Sequence, residues 1–180
     1  MTQSHDDDIL TDRLILRLIP YAALLSTETG HIADAARVLH LELPDDWIDV
    51  APLARRRLPQ LLEEPDYRPW AVRAIALRKT GEVVGYVNFH GVPAHHEMAG
   101  REACAEFGYT IFEKYRRQGY VEEAVRALMA WARPRGARHF IFSIAPGNAA
   151  SQGLAAKLGA RKIGVQIDEE DGPEDVLLLS

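Results

Sequence analysis

A strand, a basic turn and an amphipathic helix follow one another without a break between residues 102 and 133. Residues 102–112 are typical of a β-strand, and the turn after them contains Arg116, Arg117 and one glycine, Gly119. From residue 120 onwards apolar residues recur at spacings of three and four, which predicts one buried helix face. These residues are Val121, Ala124, Val125, Leu128, Met129 and Ala132. The chain is therefore expected to lead from a strand directly into a packed helix.

The start of this helix is a candidate anion site. Unpaired N–H groups at a helix N-terminus point outward and carry partial positive charge. Gly119 lets a phosphate approach the backbone, and Arg116 and Arg117 add charged donors, so a pyrophosphate is the natural occupant. The alternative is that these residues only form a polar helix start. Two other phosphate loops are excluded, because the chain has neither a Gly-rich run ending in Gly-Lys-Ser/Thr nor Gly-x-Gly-x-x-Gly.

The elements around this junction are predicted from periodicity and turn residues. In chain order they are a strand over 14–19, helical segments over 21–62, strands over 70–78 and 83–89, the strand over 102–112, the helix over 120–133, a strand over 139–145, a helix ending at Gly159, and strands over 161–167 and 175–179 joined across 169–173. Asp45 or Asp46 is expected to cap a short helix, because a side-chain oxygen there accepts a backbone N–H. Residues 91–100 are expected to form a loop.

Size and charge exclude several classes of protein. The 180 residues are enough for one good core, so we expect a single domain over residues 1–180 with a flexible segment at 1–10. The net charge of −5 gives no electrostatic footprint for nucleic acid. A basic run at residues 55–57 is followed by acidic residues and is interpreted as a solvated helix face, not as a nucleic-acid site.

The expected compartment is the cytoplasm. No stretch approaches the roughly 18 apolar residues of a membrane span, so no membrane partner is expected. The first residues show no signal pattern, and Cys104 is the only cysteine, so no intrachain disulfide can form. The cluster His95-His96-Glu97 lacks the second histidine of a zinc protease motif, and no metal site is predicted there.

Five motifs in this order resemble the GNAT superfamily, in particular the branch that contains the ribosomal-protein alanine N-acetyltransferases. The turn resembles the coenzyme A signature Arg/Gln-x-x-Gly-x-Gly/Ala. The other four motifs are Thr-Asp-Arg-Leu-Ile-Leu-Arg at 11–17, Gly-Tyr-Val-Asn-Phe at 85–89, Glu-Phe-Gly-Tyr at 106–109, and Pro-Gly-Asn-Ala-Ala-Ser at 146–151 leading to Lys-Leu-Gly at 157–159. The resemblance implies an α+β GNAT fold, with a mostly antiparallel twisted sheet of about seven strands, a V-shaped splay between strands 4 and 5, and about four flanking helices.

The resemblance also implies an enzyme that transfers an acetyl group from acetyl-CoA to a primary amine, in a peptide N-terminus or a small molecule, by direct attack in a ternary complex. The backbone of residues 109–111 would pair with the pantetheine arm and direct one amide at the thioester carbonyl. The amides of residues 118–122 would hold the pyrophosphate. The implied cofactor-binding residues are Tyr109, Thr110, Ile111, Arg116, Arg117, Gln118, Gly119, Tyr120, Val121, Glu122 and Asn148. Asn148 is also interpreted as a helix N-cap, and both roles can coexist.

Catalytic roles follow from the same resemblance. Glu106 matches the acidic residue proposed to deprotonate the amine, since an alkylammonium must lose a proton before it attacks. The alternatives are that Glu106 faces solvent or pairs with an arginine, and His90 is a second candidate base. Ala155 stands where many members have a tyrosine that protonates the leaving thiolate. Ser151 or a water could replace that tyrosine, although Ser151 could also only satisfy the first helical turn.

Two departures from the family pattern motivate a different function. Val121 stands where glycine or alanine is usual, and together with Ala155 it favours a module that binds acyl-CoA as a sensor without turnover. If the chain is an enzyme, its amine acceptor is expected to bind over residues 30–67, opposite residues 90–101. The excess of acidic over basic residues favours a cationic acceptor. Three aromatic residues could line its pocket, but such residues are more often core; they are Trp47, Tyr67 and Trp70. The chain is expected to be a monomer or homodimer.

Overall fold

A computed structural model describes residues 7–168 and 172–180. The chain forms two compact units: a first unit of Met1–Asn88 and Tyr109–Leu128, and a second unit of Phe89–Gly108 and Met129–Ser180. Part of the predicted flexible segment, residues 1–6, and part of the predicted turn, residues 169–171, lie outside the described residues. None of the described helices combines the length and apolarity needed to cross a bilayer.

The fold is a mixed α/β one with an open sheet, which confirms the predicted fold class. The described strands are β1 (Ile9–Leu10), β2 (Leu14–Leu18), β3 (Arg73–Leu77), β4 (Val83–Phe89), β5 (Ala94–His96), β6 (Arg101–Ile111), β7 (His139–Ile144), β8 (Arg161–Asp168) and β9 (Gly172–Leu179). The α-helices are α1 (Tyr21–Glu28), α2 (Ile32–Leu39), α3 (Ala51–Glu63), α4 (Tyr120–Ala132) and α5 (Ala149–Leu158), with short 3₁₀ segments at Asp45–Val50, Pro65–Trp70, Glu113–Tyr115 and Arg133–Arg135. The strands exceed the predicted seven because β1 and β5 are too short for a period of two to appear.

The first unit combines antiparallel strands with α1, α2 and α3, and α1 packs against both α2 and α3. β2 pairs with β1 and with β3, and β3 pairs with β4. The end of β6 follows beside the start of β4, where the N–H of Phe112 donates to the carbonyl of Val84 at 3.0 Å. Three aromatic side chains are buried in this unit, which confirms their interpretation as core and not as an acceptor pocket; they are Trp47, Tyr67 and Trp70.

In the second unit, β7 lies between a parallel neighbour and an antiparallel one. Its parallel pairing with β6 runs from Cys104 and His139 to Glu106 and Ile141. Its antiparallel pairing with β9 continues to Ile144, and β8 and β9 form the predicted closing hairpin. The pairing of β6 with β7 therefore ends before β7 does.

Several local predictions were wrong. Pro44, not an aspartate, is the N-cap of the 3₁₀ segment Asp45–Val50, and neither Asp45 nor Asp46 makes a capping hydrogen bond because the extended Pro44 precedes the first turn. In the basic run, Arg57 is buried and donates to Gln60 Oε1 at 2.9 Å, although Arg55 and Arg56 are exposed as predicted. The strand predicted from residue 70 begins at Arg73, because a proline-containing 3₁₀ segment precedes it. Ile9 and Leu10 of the predicted flexible segment pair with β2.

Candidate functional site

The turn between β6 and α4, in the first unit, exposes a run of backbone N–H groups. Arg117 and Gly119 both have left-handed backbone conformations, with φ of 63° and 77°. That conformation is uncommon for a residue with a side chain, so Arg117 marks a strained turn. Within the described residues, the N–H groups of Gln118, Gly119, Tyr120 and Val121 donate to no protein acceptor. Such a run at a helix N-terminus is a donor set that fits a phosphate.

Helical hydrogen bonding begins immediately after this run. The N–H of Glu123 donates to the carbonyl of Gly119 at 3.2 Å. Glu122 turns its carboxylate along the helix, where it accepts from Arg126 Nε at 3.1 Å. Val121 is partly buried, whereas the other apolar residues of the predicted stripe are buried. The valine therefore does not prevent the turn from forming, and its own N–H remains without a protein acceptor in the described structure.

Arg13 holds this turn from the side of β2. Its Nη1 donates to the carbonyl of Gln118 at 3.0 Å, and its guanidinium lies 4.8 Å from the centre of the Tyr120 ring. Its Nε and its backbone N–H donate to the two carboxylate oxygens of Glu123 at 2.6 and 3.0 Å, and Thr11 Oγ1 adds a third bond at 2.6 Å. We call this set, Thr11, Arg13 and Glu123, the clamp. No local pattern linked these residues, so sequence reasoning missed the clamp.

The clamp determines the charge of Glu123. Burial by itself raises the pKa of this carboxyl, but the hydrogen bonds from Thr11 and Arg13 and the charge of Arg13 outweigh burial and lower it below 4.5. Glu123 is therefore ionised at neutral pH and stays bound to Arg13.

The two predicted phosphate arginines differ in their surroundings. Arg116 donates from Nε to the carbonyl of Ile111 at 3.1 Å, which ties the turn to the end of β6. The side chain of Arg117 is exposed. A Cβ added to Gly119 would stand 3.4 Å from Arg13 Nη2, so the clamp and the turn are closely fitted.

The end of β6 packs tightly against β4. A Cβ added to Gly85 would lie only 2.1 Å from the carbonyl oxygen of Thr110. Gly85 is therefore required for β4 to approach this part of β6, which explains one glycine of the predicted motifs. Tyr109, Thr110 and Ile111 remain partly exposed, as residues expected to contact a ligand would be.

Glu106, in the second unit, is held by a hydroxyl and an imidazole. Ser143 Oγ donates to Glu106 Oε1 at 2.6 Å, and His90 Nδ1 lies 3.5 Å from the same oxygen. The Glu106 side chain is 26% exposed, and its contacts among the described residues are with Ser143 and His90. Pairing with an arginine, one alternative from the sequence, is therefore not found in this part of the chain, whereas the carboxylate still partly faces solvent. Ser143 was missed, although a polar residue within the apolar strand β7 was an available signal.

These neighbours keep Glu106 ionised. Burial raises the pKa of its carboxyl, but the hydrogen bond and charge of His90, the hydrogen bond from Ser143 and the charge of His96 together lower it below 4.5. The carboxylate can therefore attract a cation or accept a proton at neutral pH.

Asn148 and Ser151 begin α5 in the second unit. Asn148 Oδ1 accepts from the N–H of Ser151 at 3.1 Å, which confirms Asn148 as the N-cap. Ala155 is fully buried, so this position offers no phenol and no open space for one. The roles of Asn148 toward a cofactor and of Ser151 toward a thiolate stay predictions. Of the predicted histidine cluster, His95 bonds to Glu102 at 2.8 Å and His96 accepts from the N–H of Ala99.

Comparison with known proteins points to one family. The profile of the Acetyltransferase (GNAT) domain matches residues 13–161. The chain is 24% identical over 155 residues to the uncharacterized N-acetyltransferase YycN of Bacillus subtilis, covering 83% of this chain and 92% of YycN.

Solved structures share the fold at low sequence identity. The ribosomal-protein-S5-alanine acetyltransferase of Vibrio fischeri has a TM-score of 0.64 at 15% identity, covering 96% of this chain and 95% of the other. RimL, a ribosomal L7/L12 alpha-N-protein acetyltransferase in complex with coenzyme A, has a TM-score of 0.62 at 17% identity, covering 96% and 97%.

The matched region extends from Arg13 of the clamp to the first residue of β8, and so includes both the turn and Glu106. It covers well over half of the chain. The chain therefore belongs to the GNAT acetyltransferase family and is an acyltransferase.

Proposed function

We propose that this protein transfers an acetyl group from acetyl-CoA to a primary amine by direct attack in a ternary complex. The main support for the proposal is the run of N–H groups at residues 118–121, which have no protein acceptor in the described structure. A pyrophosphate fits such a run, because several N–H donors and the helix dipole act on it together. The coenzyme A in the RimL structure shows that this fold is compatible with that ligand.

In this proposal the first unit binds the nucleotide end and the arm of acetyl-CoA. The N–H groups of residues 118–121 and the side chains of Arg116 and Arg117 bind the pyrophosphate. The partly exposed end of β6, Tyr109 to Ile111, binds the pantetheine arm through its backbone. One of its N–H groups would stabilise the negative charge that develops on the thioester oxygen, a type of contact worth roughly 3–4 kcal/mol in other acyl transferases. Asn148 would contact acetyl-CoA while it caps α5.

Glu106 is the proposed proton acceptor. The N–C bond forms, the C–S bond breaks, and coenzyme A leaves as a thiolate that takes up a proton from Ser151 or water. A carboxylate with a lowered pKa is a weak base toward a free alkylammonium, whose ordinary pKa is about 10. The Glu106 carboxylate acts best as a base while the nitrogen attacks, because the nitrogen loses basicity as its lone pair forms the new bond.

His90 is the second candidate to accept that proton from the amine. Its imidazole lies 3.5 Å from Glu106 Oε1, close enough to act with the carboxylate as a pair. If His90 is the base, its replacement should remove the acidic limb of the pH–rate profile, because that limb reports the essential base. If Glu106 is the base, the acidic limb should persist without His90.

A second candidate function is an acyl-CoA sensor without turnover. The buried Ala155 favours it, because the position offers no tyrosine to protonate a thiolate. Both functions use the same nucleotide-binding turn, and they differ only in chemistry.

Two measurements test the proposal. Acetyl-CoA at millimolar concentration should raise the melting temperature by mass action. A panel of amines, including peptides with free N-termini, polyamines and aminoglycosides, should release free thiol from acetyl-CoA in the presence of the protein. A thermal shift without thiol release across the panel would favour the sensor, and no thermal shift would refute both functions.

A further inference from the structure

A chain of side-chain hydrogen bonds in the second unit connects four strands. It starts at Glu106 on β6 and passes through Ser143 on β7. Gln166 on β8 donates from Nε2 to Ser143 Oγ and to Glu174 Oε2 on β9, both at 3.1 Å. Ser143 in turn donates to Glu106 Oε1 at 2.6 Å. Each of these four side chains is partly buried, so water does not fully compete for their hydrogen bonds.

The chemistry of the groups fixes the direction of each hydrogen bond. A carboxylate accepts and does not donate, so the Gln166 atom that faces Glu174 must be its amide nitrogen. The two protons on that nitrogen are then used by Glu174 and by Ser143. Because Ser143 Oγ accepts from Gln166, its single proton is directed to Glu106. The chain therefore has one orientation, which ends on Oε1 of Glu106.

The other carboxylate oxygen of Glu106 has different surroundings. Ser143 and His90 both reach Oε1. In the described part of the chain, Oε2 has no hydrogen-bond partner in the protein. An incoming ammonium or its proton can therefore reach Oε2 without breaking an existing contact.

We propose that Ser143 and Gln166 are positioning residues, which orient Glu106 so that Oε2 is the atom that accepts the proton of the acceptor amine. This inference rests on the proposed function of Glu106. Gln166 acts through Ser143, and Ser143 acts through Glu106, so neither residue needs to touch the substrate. Loss of the Ser143 donor also raises the pKa of the Glu106 carboxyl, with His90 and His96 left as the charged groups that lower it.

A merely structural role predicts different behaviour. The strands are already joined by their backbone ladders, with Ser143 paired to Val176 and Gln166 paired to Glu174. Removing the Ser143 hydroxyl should therefore leave the fold intact. If its hydroxyl only stabilised the unit, the variant would lose stability and keep its pH profile.

The test compares Ser143→Ala, Ser143→Thr, Gln166→Leu and the double variant Ser143→Ala/Gln166→Leu. We expect Ser143→Ala to lower kcat about 10-fold, the effect of losing a hydrogen bond to a charged group, with KM for acetyl-CoA unchanged. The acidic limb of its pH–rate profile should move to higher pH. Ser143→Thr keeps a hydroxyl and should retain most of the kcat that Ser143→Ala loses. The double variant should be no slower than Ser143→Ala, because Gln166 acts only through Ser143. Lys162→Gln, which breaks the Lys162–Asp175 ion pair of the same hairpin, is the matched control.

Each result has a separate meaning. Wild-type kcat and an unmoved limb in Ser143→Ala would overturn the positioning role, as would additive losses in the double variant. Full turnover by Glu106→Gln would instead refute the proposed function of Glu106. If the wild type turned over no amine, the Glu106 carboxyl would be titrated by carbon-13 NMR. A higher pKa in Ser143→Ala would then support the hydrogen-bond chain, and an unchanged pKa would overturn it.

Discussion

Arg13 Nε lies 2.6 Å from a carboxylate oxygen of Glu123, although the two residues are 110 positions apart in the chain. Glu123 stands in the first turn of α4, and Arg13 also bonds to the carbonyl of Gln118 in the turn before it. One arginine therefore holds both the helix start and the loop that exposes the N–H run. The acetyl-CoA site proposed here depends on that geometry.

Replacing the clamp arginine should weaken nucleotide binding more than it weakens the fold. Arg13 is 49% exposed, and exposed ion pairs contribute about 0–1 kcal/mol to stability. We expect Arg13→Gln to raise KM for acetyl-CoA about 10-fold and to reduce the thermal shift caused by acetyl-CoA, with little change in the melting temperature of the free protein.

The control for this prediction is Arg55→Gln, which removes an exposed ion pair to Glu28 at 3.0 Å away from the turn. It should leave KM unchanged. An equal KM in Arg13→Gln and wild type would show that the clamp does not shape the binding site.

A side chain at Gly85 should disrupt the end of β6. The Cβ of Gly85→Ala would meet the carbonyl oxygen of Thr110 at 2.1 Å, so the backbone of β4 or β6 has to move. We expect a loss of about 3 kcal/mol in the free energy of unfolding and weaker acetyl-CoA binding. Urea denaturation and calorimetric titration measure the two effects. Gly91→Ala, with no atom within 4 Å of its added Cβ, should be close to neutral.

Glu106→Gln should slow turnover strongly and preserve binding of acetyl-CoA. The amide keeps the shape of the carboxylate but accepts no proton, so we expect kcat to fall at least about 100-fold. The matched control is Glu102→Gln on the same strand, where the carboxylate is 81% exposed and pairs with His95.

The pH–rate profile separates the two candidate bases. An acidic limb that disappears in His90→Gln would assign the proton to the imidazole. An acidic limb that persists in His90→Gln would assign it to Glu106.

Stability should fall in acid because Glu106 and Glu123 are held ionised by the fold. The pKa of each carboxyl lies below its ordinary value of 4.5, so the folded state binds fewer protons than the unfolded state. Their contribution is complete above about pH 4.5 and is lost as the pH falls through the lowered values. Urea denaturation should therefore show that the free energy of unfolding falls less steeply with decreasing pH in Glu123→Gln than in wild type. An equal pH dependence of the two proteins would contradict the lowered pKa of Glu123.

Sequence patterns predicted the elements that depend on their own residues. The strand over 83–89 and the start of the helix at residue 120 were found where they were predicted. Both depend on alternation or on an apolar stripe, which are local properties. The N-cap Asn148 and the left-handed cap Gly159 were likewise predicted from local signals.

Features that depend on distant contacts were missed. The clamp joins the segment between β1 and β2 to α4, and the hydrogen-bond chain behind Glu106 uses residues from four strands. No periodicity within one segment encodes such contacts. Arg57 was misjudged for the same reason, because its burial depends on how α3 packs and not on the charges beside it in the chain.

The N–H run of the turn is the basis of the proposed acetyl-CoA site, and amide NMR tests it directly. Coenzyme A is added to nitrogen-15-labelled protein, and pantetheine, which lacks the pyrophosphate, is added in a parallel titration. We expect strong shifts with coenzyme A and small shifts with pantetheine in the N–H signals of Gln118, Gly119, Tyr120 and Val121, because these groups donate to the pyrophosphate. Unchanged signals at saturating coenzyme A, or equal shifts with both ligands, would contradict it.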